Sequence, residues 1–177
     1  MKKIALTGGI GTGKTFISKS FIQQGIPVFY ADEEAKKMYD DPEVIQAIHE
    51  NFGDTVFVEG TLSLNKLSEI VFSNECMMRQ LESILHPRVM KAFDDWALRQ
   101  KVEVVMMESA IIFEAHLEKF FDKVITVNAS VPVRIRRIKQ RNPEMSEAQI
   151  MARINRQLDQ AIKCQLADEV IEHEEDI

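Results

Sequence analysis

Short apolar runs along the chain alternate with stretches in which apolar residues recur every three or four positions, the pattern of strands followed by helices. Ile4-Ala5-Leu6 is compact and apolar, a glycine cluster follows, and Phe16-Ile17-Ser18-Lys19-Ser20-Phe21-Ile22 carries its apolar residues at helical spacing before Gly25. That order predicts strand, loop, helix and a glycine stop. Pro27-Val28-Phe29-Tyr30-Ala31 predicts a short strand ending at Asp32, pairing in parallel with the first strand as a strand after a helix commonly does. Over residues 33–101 the pattern turns mostly helical, through Val44, Ile48 and Phe52 and then Met77, Leu81, Ile84 and Leu85, with His86-Pro87 joining two helical runs. Residues 102–107 and 123–127 restore the alternation as buried strands, and Glu169-Val170-Ile171 predicts a short last one. The expected architecture is an α/β core with a parallel sheet and a helical insertion between its second and third strands.

Near the end, Ser146 followed by Gln149 predicts a capping box opening a helix with Ile150, Ile154 and Leu158 on one face. The polar turn Arg141-Asn142-Pro143-Glu144 precedes it, so two late helices form a hairpin able to stand off the core and move.

At 177 residues the chain is most economically one domain. A hydrophobic fraction of 45% and a charged fraction of 28% are ordinary for a globular protein, with no repeat or low-complexity stretch. The net charge of -6 argues against a general nucleic-acid or anionic-membrane binder, so a polyanionic ligand would be held by local groups. Cys76 and Cys164 stand far apart and outside metal-ligand spacing, which fits a reducing cytoplasm. The apolar run after Met1-Lys2-Lys3 breaks at Thr7-Gly8-Gly9, too early for a signal peptide, and no later run approaches the ~20 residues of a membrane span.

The chemistry begins with Gly8-Gly9-Ile10-Gly11-Thr12-Gly13-Lys14-Thr15, which satisfies G-x-x-x-x-G-K-[ST] directly after a strand and opening a helix. Missing side chains let backbone N–H groups wrap closely around a phosphate, and the helix N-terminus adds unpaired donors. Lys14 is placed to reach the β/γ-phosphates and the Thr15 hydroxyl to ligate Mg²⁺. Asp32, at the carboxyl end of the second strand, has two readings: a carboxylate that orients or deprotonates an attacking hydroxyl, or the N-cap of a helix beginning at Glu33. Six arginines fall between Arg134 and Arg156, with Arg137 and Arg141 on one helix face; such a face clamps phosphates or is simply solvated. Glu108 and Glu114 bracket a segment beyond the third strand, near Mg²⁺ or exposed. An isolated His86 is more often a packing residue than a ligand, and the nine methionines read as core filling.

The phosphate-loop segment, Ala31-Asp32, Leu85-His86-Pro87, Ile112-Phe113-Glu114, Arg137 with Arg141, Gln157 and Ala167-Asp168 together resemble the dephospho-CoA kinase family over nearly the whole chain. The resemblance implies a three-layer P-loop core (about 1–32, 102–130 and 161–177), a helical insertion binding the CoA substrate (about 33–101) and a helical lid (about 131–160), in a single kinase domain. It implies transfer of the γ-phosphoryl of ATP, with Mg²⁺, to the ribose 3′-hydroxyl of dephospho-CoA, in the cytoplasm and with no obligate protein partner. Asp32, Lys14 and Arg137 become the catalytic groups; Gly9, Gly11, Thr12, Gly13, Lys14, Thr15, Phe16, Arg137 and Arg141 the ATP contacts; Thr7, Asp32, His86 and Glu108 the substrate contacts. Two positions depart from the family: Tyr30 stands where it usually has Asp, and the segment from Glu108 lacks its proline and has the longer acid. The rivals are another small-metabolite or nucleoside kinase on the same scaffold, or a nucleotide-binding regulator, although Asn65-Lys66-Leu67-Ser68 lacks the Asp of a guanine-reading motif.

Overall fold

The computed structural model describes residues 1–175 and divides the chain into two compact units, residues 33–95 and the remainder on either side. In chain order the elements are β1 (Lys2–Thr7), α1 (Lys14–Gln23), β2 (Val28–Tyr30), α2 (Ala31–Lys37), α3 (Pro42–Phe52), β3 (Phe57–Val58), β4 (Thr61–Leu62), α4 (Leu64–Ser73) and α5 (Glu75–Arg99). They continue as β5 (Val104–Glu108), β6 (Lys123–Asn128), α6 (Val131–Arg141), α7 (Glu147–Asn155), α8 (Gln160–Leu166) and β7 (Glu169–Glu172).

The larger unit is built on a five-stranded, wholly parallel sheet of order β2-β5-β1-β6-β7. β2 pairs with β5 rather than with β1, because the almost fully buried Val104–Glu108 run takes a central place between them. A parallel sheet covered on both faces calls for such near-continuous apolar strands. The registers Leu6↔Glu108, Tyr30↔Glu108 and Thr7↔Thr126 bring the carboxyl ends of β1, β2, β5 and β6 to one edge, where ligands of open α/β sheets bind. Ile17 and Phe21 of α1 pack over Leu6, Met106, Ile125 and Val127, which explains the three- and four-residue apolar spacing of that helix. The capping box forms as the sequence predicts, Ser146 accepting from Gln149 N–H and Gln149 Oε1 from Ser146 N–H. However, α7 stops at Asn155, so Leu158 lies beyond the helix, where its N–H donates to Glu114 Oε1 at 3.0 Å. α6 and α7 share an apolar seam of Ile138, Ile150 and Ile154, and Ile10 of the glycine loop packs against it.

The smaller unit is mostly helical around Val44, Ile48, Val56, Leu67 and Val71. Asp41 caps α3 through Glu43 N–H with Pro42 in the first turn, and Ser63 caps α4 through Lys66 N–H. Two features differ from the sequence expectation. A β3–β4 hairpin interrupts the helices, turned by Glu59 and Gly60 at φ 49° and 78°. α5 also runs unbroken through His86-Pro87, where the proline supplies no N–H to the Ser83 carbonyl one turn back and the Arg88 guanidinium donates to the neighbouring Ile84 O, 2.9 Å away. After β7, residues 173–175 are irregular, and residues 176–177 of the expected core lie outside the described residues.

Candidate active site

The glycine loop connects β1 to α1 at the carboxyl edge of the sheet. Gly13 adopts φ 97°, and a Cβ there would meet His173 Nδ1 at 2.5 Å, so both conformation and space demand glycine. Thr12 is fully buried and its hydroxyl donates to Gly9 O at 2.9 Å; its side chain braces the loop and leaves ligand binding to the backbone. The N–H groups of Phe16 and Ile17 already bond Gly13 O, whereas those of Lys14 and Thr15 open the helix and are placed to receive an anion. Thr15 is exposed at this end. Phe16, 46% exposed, stacks on His173 with centroids 5.0 Å apart.

Lys14 is half-buried and its ammonium donates to Gly8 O at 2.9 Å. Burial holds Lys14 below the ordinary lysine range; Glu108 and then Asp32 oppose that shift, while Lys163 and Arg134 reinforce it. The ammonium therefore stands among both signs of charge, with the two carboxylates close enough to favour its cationic form. Glu108 is 8% exposed at the end of β5. Asp32 is exposed, and since α2 begins at Ala31 it lies inside the first turn rather than at the cap. A carboxylate there is favoured by the helix dipole, and among the described residues its oxygens hold no hydrogen bond. Tyr30 Oη lies 3.1 Å from Ser18 Oγ, which donates to Thr15 O at 3.0 Å, so the phenol that departs from the family pattern braces α1.

The remaining expected residues fall in different settings. Thr7 is fully buried and faces Thr126 across the β1–β6 pair; neither hydroxyl has a partner among the described residues. His86 belongs to the helical unit, half-buried, where burial pushes its imidazole below the usual range against a weaker pull from Glu82. The pair Arg137 and Arg141 splits: Arg141 is exposed at the end of α6, and Arg137 is 2% exposed. The Arg137 guanidinium donates to Gly11 O at 3.2 Å, Thr12 O at 3.0 Å, His173 O at 3.0 Å and Glu175 O. It stitches the loop to the chain end. Arg134, one turn earlier and also buried, donates from Nε to Ile10 O at 2.9 Å. Glu114 pairs with the fully buried Lys163 at 2.7 Å, and the same ammonium donates to Ala110 O at 2.6 Å, fixing the segment after β5.

Sequence reasoning does not single out Arg134, Gln160, Lys163 or His173. The three-residue spacing of Arg134 and Arg137 on α6, and the place of His173 just past a strand at the ligand edge, are signals that could have found two of them. Nothing local marks Lys163, a lone lysine in a short helix.

The family model for dephospho-CoA kinase matches residues 2–177. Among curated relatives, the dephospho-CoA kinase of Bacteroides fragilis is 34% identical over 171 residues, covering 96% of this chain and 83% of its own. That of Bacillus licheniformis is 36% identical over 175 residues, covering 96% and 87%. Among solved structures, a Thermus thermophilus protein superposes with a TM-score of 0.87 at 27% identity, over 98% of this chain and 89% of its own.

Proposed function

The chain belongs to the dephospho-CoA kinase family, and we propose that its nucleotide unit transfers the γ-phosphoryl of ATP to the ribose 3′-hydroxyl of dephospho-CoA through the groups gathered at the sheet edge. The observation that carries this reading is geometric: the phosphate loop after β1, Glu108 at the end of β5 and Asp32 just past β2 follow the carboxyl ends of three paired parallel strands, so phosphate-binding and acid-base groups share one edge of the sheet. The Gly9 N–H is taken by Gln160 Oε1 and the Thr12 N–H by Gly9 O, so these two residues shape the loop, while the backbone donors of Gly11, Gly13, Lys14 and Thr15 hold the phosphates and the Lys14 ammonium leaves Gly8 O to follow charge developing on the β–γ bridge. Asp32 holds the acceptor hydroxyl in line and takes its proton as the ribose oxygen bonds to the γ-phosphorus. The bond from that phosphorus to the bridging oxygen breaks, and ADP leaves.

Glu108 keeps Lys14 charged and faces the acceptor side together with Thr7. Arg141, free of buried partners, meets ATP from the end of α6; Arg137 acts by shaping the loop around it. Phe16 and its stacked neighbour His173 offer an aromatic surface on the nucleotide side.

Among the described residues no three His, Cys, Asp or Glu side chains converge as a ligand set. A divalent ion would therefore be held largely by phosphate oxygens with the Thr15 hydroxyl, the manner that suits Mg²⁺. Bound there, Mg²⁺ supplies charge neutralisation at the β- and γ-oxygens. No helix among the described residues is long and apolar enough to cross a membrane.

The test is ADP release coupled to an acceptor panel. Dephospho-CoA is expected to stimulate turnover far more than adenosine, shikimate, gluconate or nucleoside monophosphates, with CoA identified by mass spectrometry. A markedly higher kcat/KM for another acceptor would remove the acceptor assignment and leave the kinase.

A further inference from the structure

The outward side of the phosphate loop is held by side chains to which the transfer chemistry gives no part. Gln160 Oε1 accepts from Gly9 N–H at 2.8 Å, and Gln157 Oε1 accepts from Ile10 N–H at 2.7 Å. The amide nitrogen of Gln160 donates in turn to Val127 O, 3.1 Å away at the end of β6. Arg134 takes Ile10 O, and the Ile10 side chain lies against the α6–α7 seam. Successive backbone groups of the loop's leading half are thus bound by Gln157 after α7, by Gln160 at the start of α8 and by Arg134 of α6.

A loop that recognises phosphate through its amides must keep the right ones pointing inward, and flexible glycine peptides have no internal reason to do so. Binding the Gly9 and Ile10 N–H groups from outside prevents those peptides from flipping and leaves the later amides directed at the ligand. The acceptor chemistry is also selective. A carboxylate would make the same two bonds but would set negative charge beside incoming phosphates, whereas a glutamine oxygen accepts while neutral. Space is tight as well, since a Cβ on Gly9 would lie 2.4 Å from Arg134 Nη2 and 3.2 Å from Gln157 Oε1.

We propose that Gln157 and Gln160 are positioning residues that set the phosphate loop in its ATP-binding shape and couple it to the α6–α7 hairpin. The proposal rests on the loop being the ATP site but not on the identity of the acceptor. Gln157→Met and Gln160→Met retain length and lose the acceptor. Each is expected to weaken ATP binding by about tenfold, the scale of a hydrogen bond lost from a half-buried amide, with KM for dephospho-CoA within about twofold of the parent, well under one such bond. Gln157→Glu keeps the bond to Ile10 N–H but sets negative charge beside the phosphates, so it is expected to melt like the parent and to bind ATP more weakly than the parent.

The readouts are direct ATP titration without acceptor, the two KM values, and a thermal melt. If the Met variants do not fold, Gln160→Glu decides: it keeps the acceptor, loses the donor to Val127 O and adds charge at the loop, so ATP binding must weaken at an unchanged melting temperature. Unchanged ATP affinity in the folded variants, or equal rises in both KM values, would overturn the proposal. A parent that binds ATP but phosphorylates a different acceptor would instead count against the acceptor assignment alone.

Discussion

The two units are held by different physics. Every buried polar or charged side chain among the described residues (Thr7, Thr12, Ser18, Glu108, Ser109, Thr126, Arg134, Arg137, Lys163 and His173) belongs to the nucleotide unit, and the helical unit buries only apolar ones. Taking a charge out of water costs several kcal/mol unless it is paired and hydrogen-bonded. Concentrating that cost around one loop is costly for folding and useful for binding: the polar groups arrange backbone donors and charges before the nucleotide arrives. The helical unit relies on volume filling, which many side chains can satisfy. Substitutions in the nucleotide unit should therefore change rates and affinities out of proportion to stability, and substitutions in the helical core should do the reverse.

The largest effect expected is at Lys14. Lys14→Ala removes a cation whose contacts strengthen as the γ-phosphoryl departs, and kcat should fall by about 10²–10⁴, with the melting temperature held because a desolvated charge is also removed. Stopped-time ADP assays beside a thermal melt check this; near-parent turnover would dissolve the contrast between the units. Ile48→Ala is the converse. Ile48 is fully buried in the helical cluster, so its truncation should cost about 2–5 kcal/mol in urea unfolding while ATP affinity of the folded protein stays at the parent value. A loss of ATP affinity to match would break the division.

A smaller effect concerns pH. Burial places Lys14 below its usual value of 10.5, so kcat/KM for ATP should decline on the alkaline side before the ordinary lysine range is reached. The unfolded chain holds that proton to higher pH, so Lys14's unfavourable share in stability is relieved as pH rises through this window. Glu108 is the leading charge that raises Lys14; Glu108→Gln should therefore move the alkaline limb further toward neutrality. A limb that stays in place, or moves up, would detach Glu108 from the loop. The smallest expected effect is Arg141→Ala, a few-fold drop in kcat/KM for ATP with no change in melting, since an exposed helix arginine adds little to stability.

How much of this could be read from the chain follows the same contrast. The phosphate loop is a contiguous string after an apolar run, and the Ser146–Gln149 box is a short-range pattern, so both are legible and both form. The β3–β4 hairpin escapes notice because Glu59, at φ 49°, is not the residue a tight turn usually advertises. Pro87 misleads in the opposite sense, as tertiary context keeps α5 continuous where local preference breaks it. Least legible is the polar collar. Arg134 and Lys163 look in sequence like solvated helix charges and Arg137 like a phosphate clamp or a solvated group, and only the packing of α6 and α8 shows their donors turned onto Ile10, Ala110 and Gly11 carbonyls respectively.

Asp32 carries the central claim that the exposed carboxylate at this edge orients and deprotonates the acceptor hydroxyl. It is tested most directly by Asp32→Asn, assayed for turnover, ATP binding and melting on one preparation. Asparagine keeps the shape and can still sit in the first turn of α2, but it has neither the negative charge nor the lone pair for the acceptor proton. The account predicts parent-like melting and ATP binding with kcat reduced by about 10²–10⁴. Turnover close to the parent rate would contradict it and leave the orientation of the hydroxyl to another group, with Glu108 the first to examine.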